Sequence, residues 1–176
     1  DLGTGNISAN GITINNKNPQ NADVIGFQGT IDSLKVSRFG IFDAIFSKKI
    51  STSDIYLAKP NLNIILAKPT DKKKEKNTAP LSFENIKISN GTIQVFKHTK
   101  QKFFSVNDLD LKVENLQMTE ESAQDKLPVT FDQYSIKGTN FFFQHDDIYT
   151  LKINKITTTN GQVSIDDFQL TPIIDF

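Results

Sequence analysis

Residues Gly29 to Leu66 read GTIDSLKVSRFGIFDAIFSKKISTSDIYLAKPNLNIIL, and this stretch gives the clearest evidence on the fold. It opens with a β-type apolar run that ends at Val36. A spacing of three and four residues follows, and this spacing predicts a short amphipathic helix near residues 38–48. The apolar side chains of that helix are Phe39, Ile41, Phe42, Ile45 and Phe46. Strand periodicity returns after Ile50.

The predicted helix is too short to be stable in water by itself, so its apolar face has to be buried. We expect the helix to cap one end of a sheet, with Phe39, Phe42, Ile45 and Phe46 as the capping residues. With its flanking strands it forms a strand-helix-strand unit over residues 24–66. The second of these strands changes its apolar positions from odd to even numbers at Pro60, which predicts a bulge or kink there.

The segment 67–80 loses all hydrophobic periodicity and is rich in lysine. Its basic residues include Lys72, Lys73, Lys74 and Lys76, with no aromatic residues between them. This composition is typical of a solvated loop. A contact with phosphate or with lipid headgroups is the alternative.

The second half of the chain is predicted to form β-hairpin repeats over residues 81–118 and 129–173. In the first repeat the apolar positions change parity across Asn90-Gly91, as expected for a bend. Hairpins added one after another predict an elongated, twisted antiparallel sheet, so the predicted fold is mainly β with one short capping helix. The residues assigned to its core or to an apolar groove are Ile88, Ile93, Val95, Leu109, Leu111, Val113, Ile136, Phe141, Phe143 and Ile153.

Composition limits both the organisation and the classes of partner. A chain of 176 residues with 37% hydrophobic residues buries one core, so one elongated β-rich domain is expected. Because 20 basic residues balance 20 acidic ones, no overall field attracts nucleic acid. The absence of cysteine excludes disulfides and thiolate chemistry.

Enzyme signals are weak along the whole sequence. His98 and His145 are the only histidines, and both fall at predicted hairpin tips, where a solvated turn residue is the simpler interpretation. Consecutive residues such as His145, Asp146 and Asp147 seldom converge on one metal ion. Asp166 and Asp167 are expected on opposite faces of a strand, which gives no acid/base dyad. We therefore predict no catalytic residue, no metal site and no cofactor.

The order of motifs resembles the N-terminal region of bacterial AsmA-like proteins, which are related to TamB and more distantly to the repeating β-groove lipid-transfer proteins. The motifs that carry the resemblance are SRFGIFDAIFSKKIS, LAKPNLNII, NIKISNGTIQVF and SVNDLDLKVENLQM. In that family, strand-helix-strand units end in a leucine-rich segment with a proline, matched here by Leu57 to Ile65. Later strands, matched by Ile88 to Val95, build a taco-like sheet with an apolar inner face. This chain lacks the membrane helix of that family, and we expect it to be a fragment of a longer protein.

The resemblance implies a periplasmic, membrane-anchored protein of the Gram-negative cell envelope that handles lipid, with the anchor in a segment outside this sequence. Independently of it, an antiparallel sheet with one apolar face covers that face with a helix, a second sheet or a ligand. An open face predicts a groove for phospholipid or another lipid. A closed core predicts a structural or protein-interaction module without a ligand.

Overall fold

The computed structural model of the chain describes residues 4–15, 25–40, 50–68, 81–118, 130–144, 148–159 and 161–173. Within these residues the protein is mainly β, and nine strands form one sheet. The strands are β1 (Thr4–Ile14), β2 (Gly26–Gly40), β3 (Ile50–Ala58), β4 (Asn61–Ile65), β5 (Leu81–Phe96), β6 (Lys102–Met118), β7 (Gln133–Phe143), β8 (Tyr149–Thr159) and β9 (Gln162–Pro172).

The strands follow the order β1-β2-β3-β5-β6-β7-β8-β9, and β4 continues β3 between β2 and β5. Neighbouring strands are antiparallel except that β3 and β4 run parallel to β5. The predicted antiparallel meander is therefore right from β5 to β9 and wrong at this one junction. A parallel pair cannot be joined by a tight hairpin, which is why the predicted hairpin order fails between β4 and β5.

The predicted capping helix is not seen among the described residues. Strand β2 continues to Gly40, and Phe39 pairs with Gly5 of β1, so the start of the predicted helix is extended. Ser37, directly before the predicted helix, belongs to β2, and its carbonyl accepts hydrogen bonds from the hydroxyls of Thr52 and Ser53. Pairing with β1 and β3 thus overrides the local helical spacing. The other capping residues, Phe42, Ile45 and Phe46, lie outside the described residues.

The strand register places the apolar side chains on one side of the sheet, called here the apolar face. Residues directly opposite each other in neighbouring strands share a face, so each row of paired residues can be followed across the sheet. One row is Leu34, Leu57, Ile88, Leu111 and Ile136. Another is Ile64, Val95, Phe104, Phe143, Leu151 and Leu170.

The alternation is interrupted at nearly the same level across the sheet, and we call this transverse line the first crease. At each interruption, two residues instead of one lie between successive residues of the apolar face. These two-residue steps are Asn10-Gly11, Asp32-Ser33, Ala58-Lys59, Ser89-Asn90, Asn107-Asp108, Thr139-Asn140, Asn154-Lys155 and Asp166-Asp167. The parity changes predicted at Pro60 and at Asn90-Gly91 are confirmed as two points on this line.

Left-handed backbone occurs at six of the eight steps. The second residue of a step has a positive φ at Gly11, Lys59, Asn90, Asp108, Asn140 and Asp167. Apart from glycine, Asn and Asp reach this conformation most readily, and they occupy four of these six positions. A second crease contains the same left-handed conformation at Arg38 and Asn115, whose φ values are 51° and 53°. Since extra residues of this kind bend a strand, a line of them bends the whole sheet.

The core of the protein lies along the first crease. The buried large apolar side chains of the described residues all flank it, namely Ile31, Ile88, Val106, Leu109, Phe141 and Ile153. Val106 is only 1% exposed. Gly138 lies so close that an added Cβ atom would be 2.9 Å from Cγ2 of Val106 and 3.1 Å from the Phe141 ring. The bend therefore brings side chains of one sheet into mutual contact.

Lys59 offers a direct test of the cost of the first crease. Its φ of 44° is unfavourable for a residue with a long side chain. Its ion pair with Asp32, at 3.5 Å, joins two side chains that are more than 60% exposed and adds little. We expect Lys59→Gly to raise the free energy of unfolding by about 0.5–1 kcal/mol in urea denaturation, after the greater freedom of glycine in the unfolded chain is subtracted. Asn90→Gly is the matched control and should change stability by less than about 0.5 kcal/mol, because Asn tolerates this conformation. An equal gain in both variants would contradict this account.

Candidate ligand-binding face

The apolar face is closed along the first crease and half-exposed on either side of it. Seven partly buried apolar residues pack against the buried cluster from these flanks: Leu57, Ile93, Phe104, Leu111, Ile136, Leu151 and Ile156. In the described part of the chain all strands belong to one sheet, so no second layer of strands lies over these side chains. Among the described residues, the flanks are thus the half-exposed part of the apolar face.

Exposure on the apolar face rises steeply toward β9, the last strand in the sheet. Phe168 is 62% exposed although its partner on β8, Ile153, is 6% exposed. Leu170, Val163 and Ile165 are 55%, 51% and 46% exposed. Four large apolar side chains on one strand form a continuous exposed strip, called here the β9 strip. Exposed apolar strips of this kind mark interaction sites.

The structure places all ten residues predicted for a groove or core on the apolar face, with two different levels of burial. Ile88, Leu109, Phe141 and Ile153 are buried in the cluster at the first crease. The half-exposed residues of the set are Ile93, Val95, Leu111, Val113, Ile136 and Phe143. Only this second group is accessible for contact with a ligand.

The β9 strip was missed as a candidate site by the sequence prediction. The sequence marks β9 as an apolar strand as clearly as its neighbours, because Val163, Ile165, Phe168 and Leu170 follow the same spacing as Leu151, Ile153 and Ile156. What the sequence does not give is the strand order. A strand at the end of the order has a neighbour on one side only, and this position leaves its side chains exposed.

Polar groups on the opposite face form a network at the second crease. The Arg38 side chain donates hydrogen bonds to Ser53 Oγ at 3.0 Å and to Glu84 Oε2 at 3.1 Å. Asp54 accepts from Asn85 Nδ2 at 2.9 Å and from Ser53 Oγ at 3.0 Å. These contacts join β2, β3 and β5, so the network holds the register of three strands.

The described acidic and histidine side chains do not cluster into a group of three that could hold a metal ion. His98 is exposed in the tight turn between β5 and β6, where the Lys97 amide donates to the Gln101 carbonyl. His145 lies outside the described residues. Asp166 and Asp167 occupy a step of the first crease, so their side chains do not follow the expected alternation between the two faces of the strand. Asp167 accepts a hydrogen bond from Asn154 at 3.3 Å.

The described residues include no helix with the length and apolar character that a membrane crossing requires. Comparison with known proteins gives no family model that matches the chain and no match among curated proteins.

Proposed function

We propose that this chain is a non-enzymatic protein of the bacterial cell envelope that binds or guides lipid along the apolar face of its sheet. The function is AsmA-like, in lipid transport or outer-membrane assembly. The proposed setting is the periplasm, with membrane attachment through a segment outside this sequence. The observation that carries the proposal is the apolar face itself, which is continuous across the sheet and half-exposed along both flanks of the first crease.

The dimensions of the face suit an acyl chain. Eight strand positions span roughly 34 Å at about 4.8 Å per spacing. One leaflet of a bilayer has a hydrocarbon thickness of about 15 Å, half of the roughly 30 Å core. An acyl chain lying along a flank therefore contacts several strands in succession. Rows such as Leu34 to Ile136 contain only aliphatic side chains, so no charge has to be desolvated there.

The β9 strip is the part of the face where lipid binding is tested best. Ile93 and Leu111 pack against the buried cluster, so a charge at either position would change stability as well as binding. Phe168 and Leu170 are more than half exposed, so charged residues there remain solvated in the folded protein.

We expect purified protein to carry phospholipid that mass spectrometry detects, and the double variant Phe168→Glu/Leu170→Glu to lose most of it. Burial of two large side chains against acyl chains is worth about 3 kcal/mol, which is more than a hundredfold in affinity. The matched control is Ser164→Glu/Gln169→Glu, which adds the same charge to the other face of the same strand. Equal loss in both variants, or lipid-free wild-type protein, would contradict the proposal.

A second candidate is an interaction module that pairs its edge strand with a strand of a partner protein. It is favoured by β9, an 11-residue strand that ends the sheet order and has ten exposed residues in its burial pattern. Unpaired edges of this length are templates for strand addition. Under this candidate the purified protein is free of lipid, and charges on the β9 strip weaken partner binding instead.

A further inference from the structure

The polar face carries a depression of about 380 Å³ between the two creases, and its lining is basic. Four residues in one register row cross it, contributed by β2, β3, β5 and β6: Lys35, Tyr56, Lys87 and Lys112. The backbone positions of these three lysines and one tyrosine therefore span about 14 Å, three strand spacings. The depression thus combines three lysines with one carboxylate, although the net charge of the whole chain is zero.

The charges in the depression are only partly balanced by the neighbouring carboxylates. Asp54 is the acidic residue that lines it, and it accepts hydrogen bonds from the uncharged side chains of Asn85 and Ser53, so its carboxylate offsets one of the three lysines. Lys112 forms an ion pair with Glu114. Among the described residues, neither Lys35 nor Lys87 has an ion-pair partner.

The arrangement is unfavourable for the empty protein. Lys87 lies directly opposite Lys112 in the antiparallel register, and like charges in that position destabilise a sheet. The Lys87 ammonium is held 5.7 Å from the centre of the Tyr56 ring, a cation–π contact that fixes it over the depression. An anion bound beside Lys87 would reduce this repulsion and leave the contact with Tyr56 in place.

We propose that this depression binds a phosphate monoester group, with Lys35 and Lys87 as its main cationic contacts. A phosphate monoester carries a charge of about −1.5 to −2 at pH 7, which matches two unpaired lysines better than a carboxylate does. Tyr56 supplies a hydroxyl donor in the same row, and Lys112 adds a third, partly neutralised cation. The site lies on the face opposite the apolar one and does not depend on the proposed lipid function.

The test is an NMR titration of the isotopically labelled chain with two probes, which separate the two possible sources of the group. Inorganic phosphate represents a free ligand, and phosphatidylcholine vesicles containing phosphatidic acid represent a lipid headgroup. We expect saturable changes at the amides of Lys35, Tyr56 and Lys87 with at least one probe. Binding of inorganic phosphate identifies a soluble ligand, and binding of the vesicles alone identifies a headgroup.

The variant Lys87→Gln should weaken binding of the effective probe about tenfold, as expected for loss of one charged hydrogen bond. The control is Lys102→Gln, because Lys102 lies 5.9 Å from the centre of the Phe142 ring in a similar cation–π pair, outside the depression. It should change binding less than about twofold. Lys35→Gln replaces Lys87→Gln if the latter fails to fold. Absence of saturable binding by both probes, or equal weakening by Lys102→Gln, overturns the proposal.

Discussion

Phe141→Ala is expected to lower the free energy of unfolding by about 3–5 kcal/mol. Phe141 is 8% exposed and belongs to the buried cluster at the first crease. Its ring lies edge-on to Phe104 with centroids 6.3 Å apart, and it also lies over the position of Gly138. The described residues form one sheet with few other buried apolar side chains to compensate for the cavity, and a loss of this size is a large part of an ordinary stability of 5–15 kcal/mol.

Phe168→Ala is the matched control for this prediction. Phe168 lies on the same face, opposite Ile153 on the neighbouring strand, but it is 62% exposed. We expect its removal to cost about 1 kcal/mol or less, because most of its surface is in water in the folded state. Urea denaturation followed by circular dichroism measures both variants. Equal destabilisation would show that the core is not concentrated at the first crease.

The contrast between Phe141 and Phe168 shows what periodicity can and cannot predict. Both residues are correctly assigned to strands from the sequence, and both follow the same apolar spacing. Their burial differs because Phe141 lies in an inner strand at the crease and Phe168 in the last strand of the order. Strand order depends on pairings between distant segments, which a local pattern does not contain.

The first crease could also be predicted only in part from the sequence. The steps Asn10-Gly11, Ala58-Lys59 and Ser89-Asn90 are recognisable in the sequence because glycine or proline lies in the step or directly after it. The steps at Asp108, Asn140 and Asp167 have no glycine or proline in either place and are recognisable only from φ. That the steps align into one line follows from the register, so the bend and the core along it could not be predicted from sequence.

The failed part of the helix prediction has a physical cause as well. Phe39 satisfies a helical spacing with the residues that follow it, yet it pairs with β1 in the structure. Arg38 at φ 51° ends the alternation at that point, and its amide donates to Asn6 Oδ1 at 3.1 Å. Tertiary pairing therefore decides the conformation where the local preference is weak.

Strand β4 is held to β2 by a close approach at Gly29, which makes Gly29→Ala the most damaging small substitution we expect. Gly29 has a φ of 146°, a conformation that side chains rarely adopt. A Cβ atom there would lie 1.9 Å from the carbonyl oxygen of Asn61 and 3.0 Å from Cα of Leu62. The obstacle is backbone, so a rotamer change cannot relieve it. We expect a loss of at least about 3 kcal/mol, from backbone strain together with lost pairing between β2 and β4.

Gly11→Ala is the control that separates the strain of a positive φ from the steric clash of an added Cβ atom. Gly11 also has a positive φ, 62°, but nothing lies within 4 Å of its Cβ position, so its substitution should cost only about 1–2 kcal/mol. Thermal and urea unfolding of both variants measure the difference. If β4 separates from β2 in Gly29→Ala, the row Ile64 to Leu170 loses its first member, and lipid carried by the purified protein should fall with stability. A cost no greater than that of Gly11→Ala would mean that the contact between Gly29 and Asn61 can relax, and that β4 is not a fixed part of the apolar face.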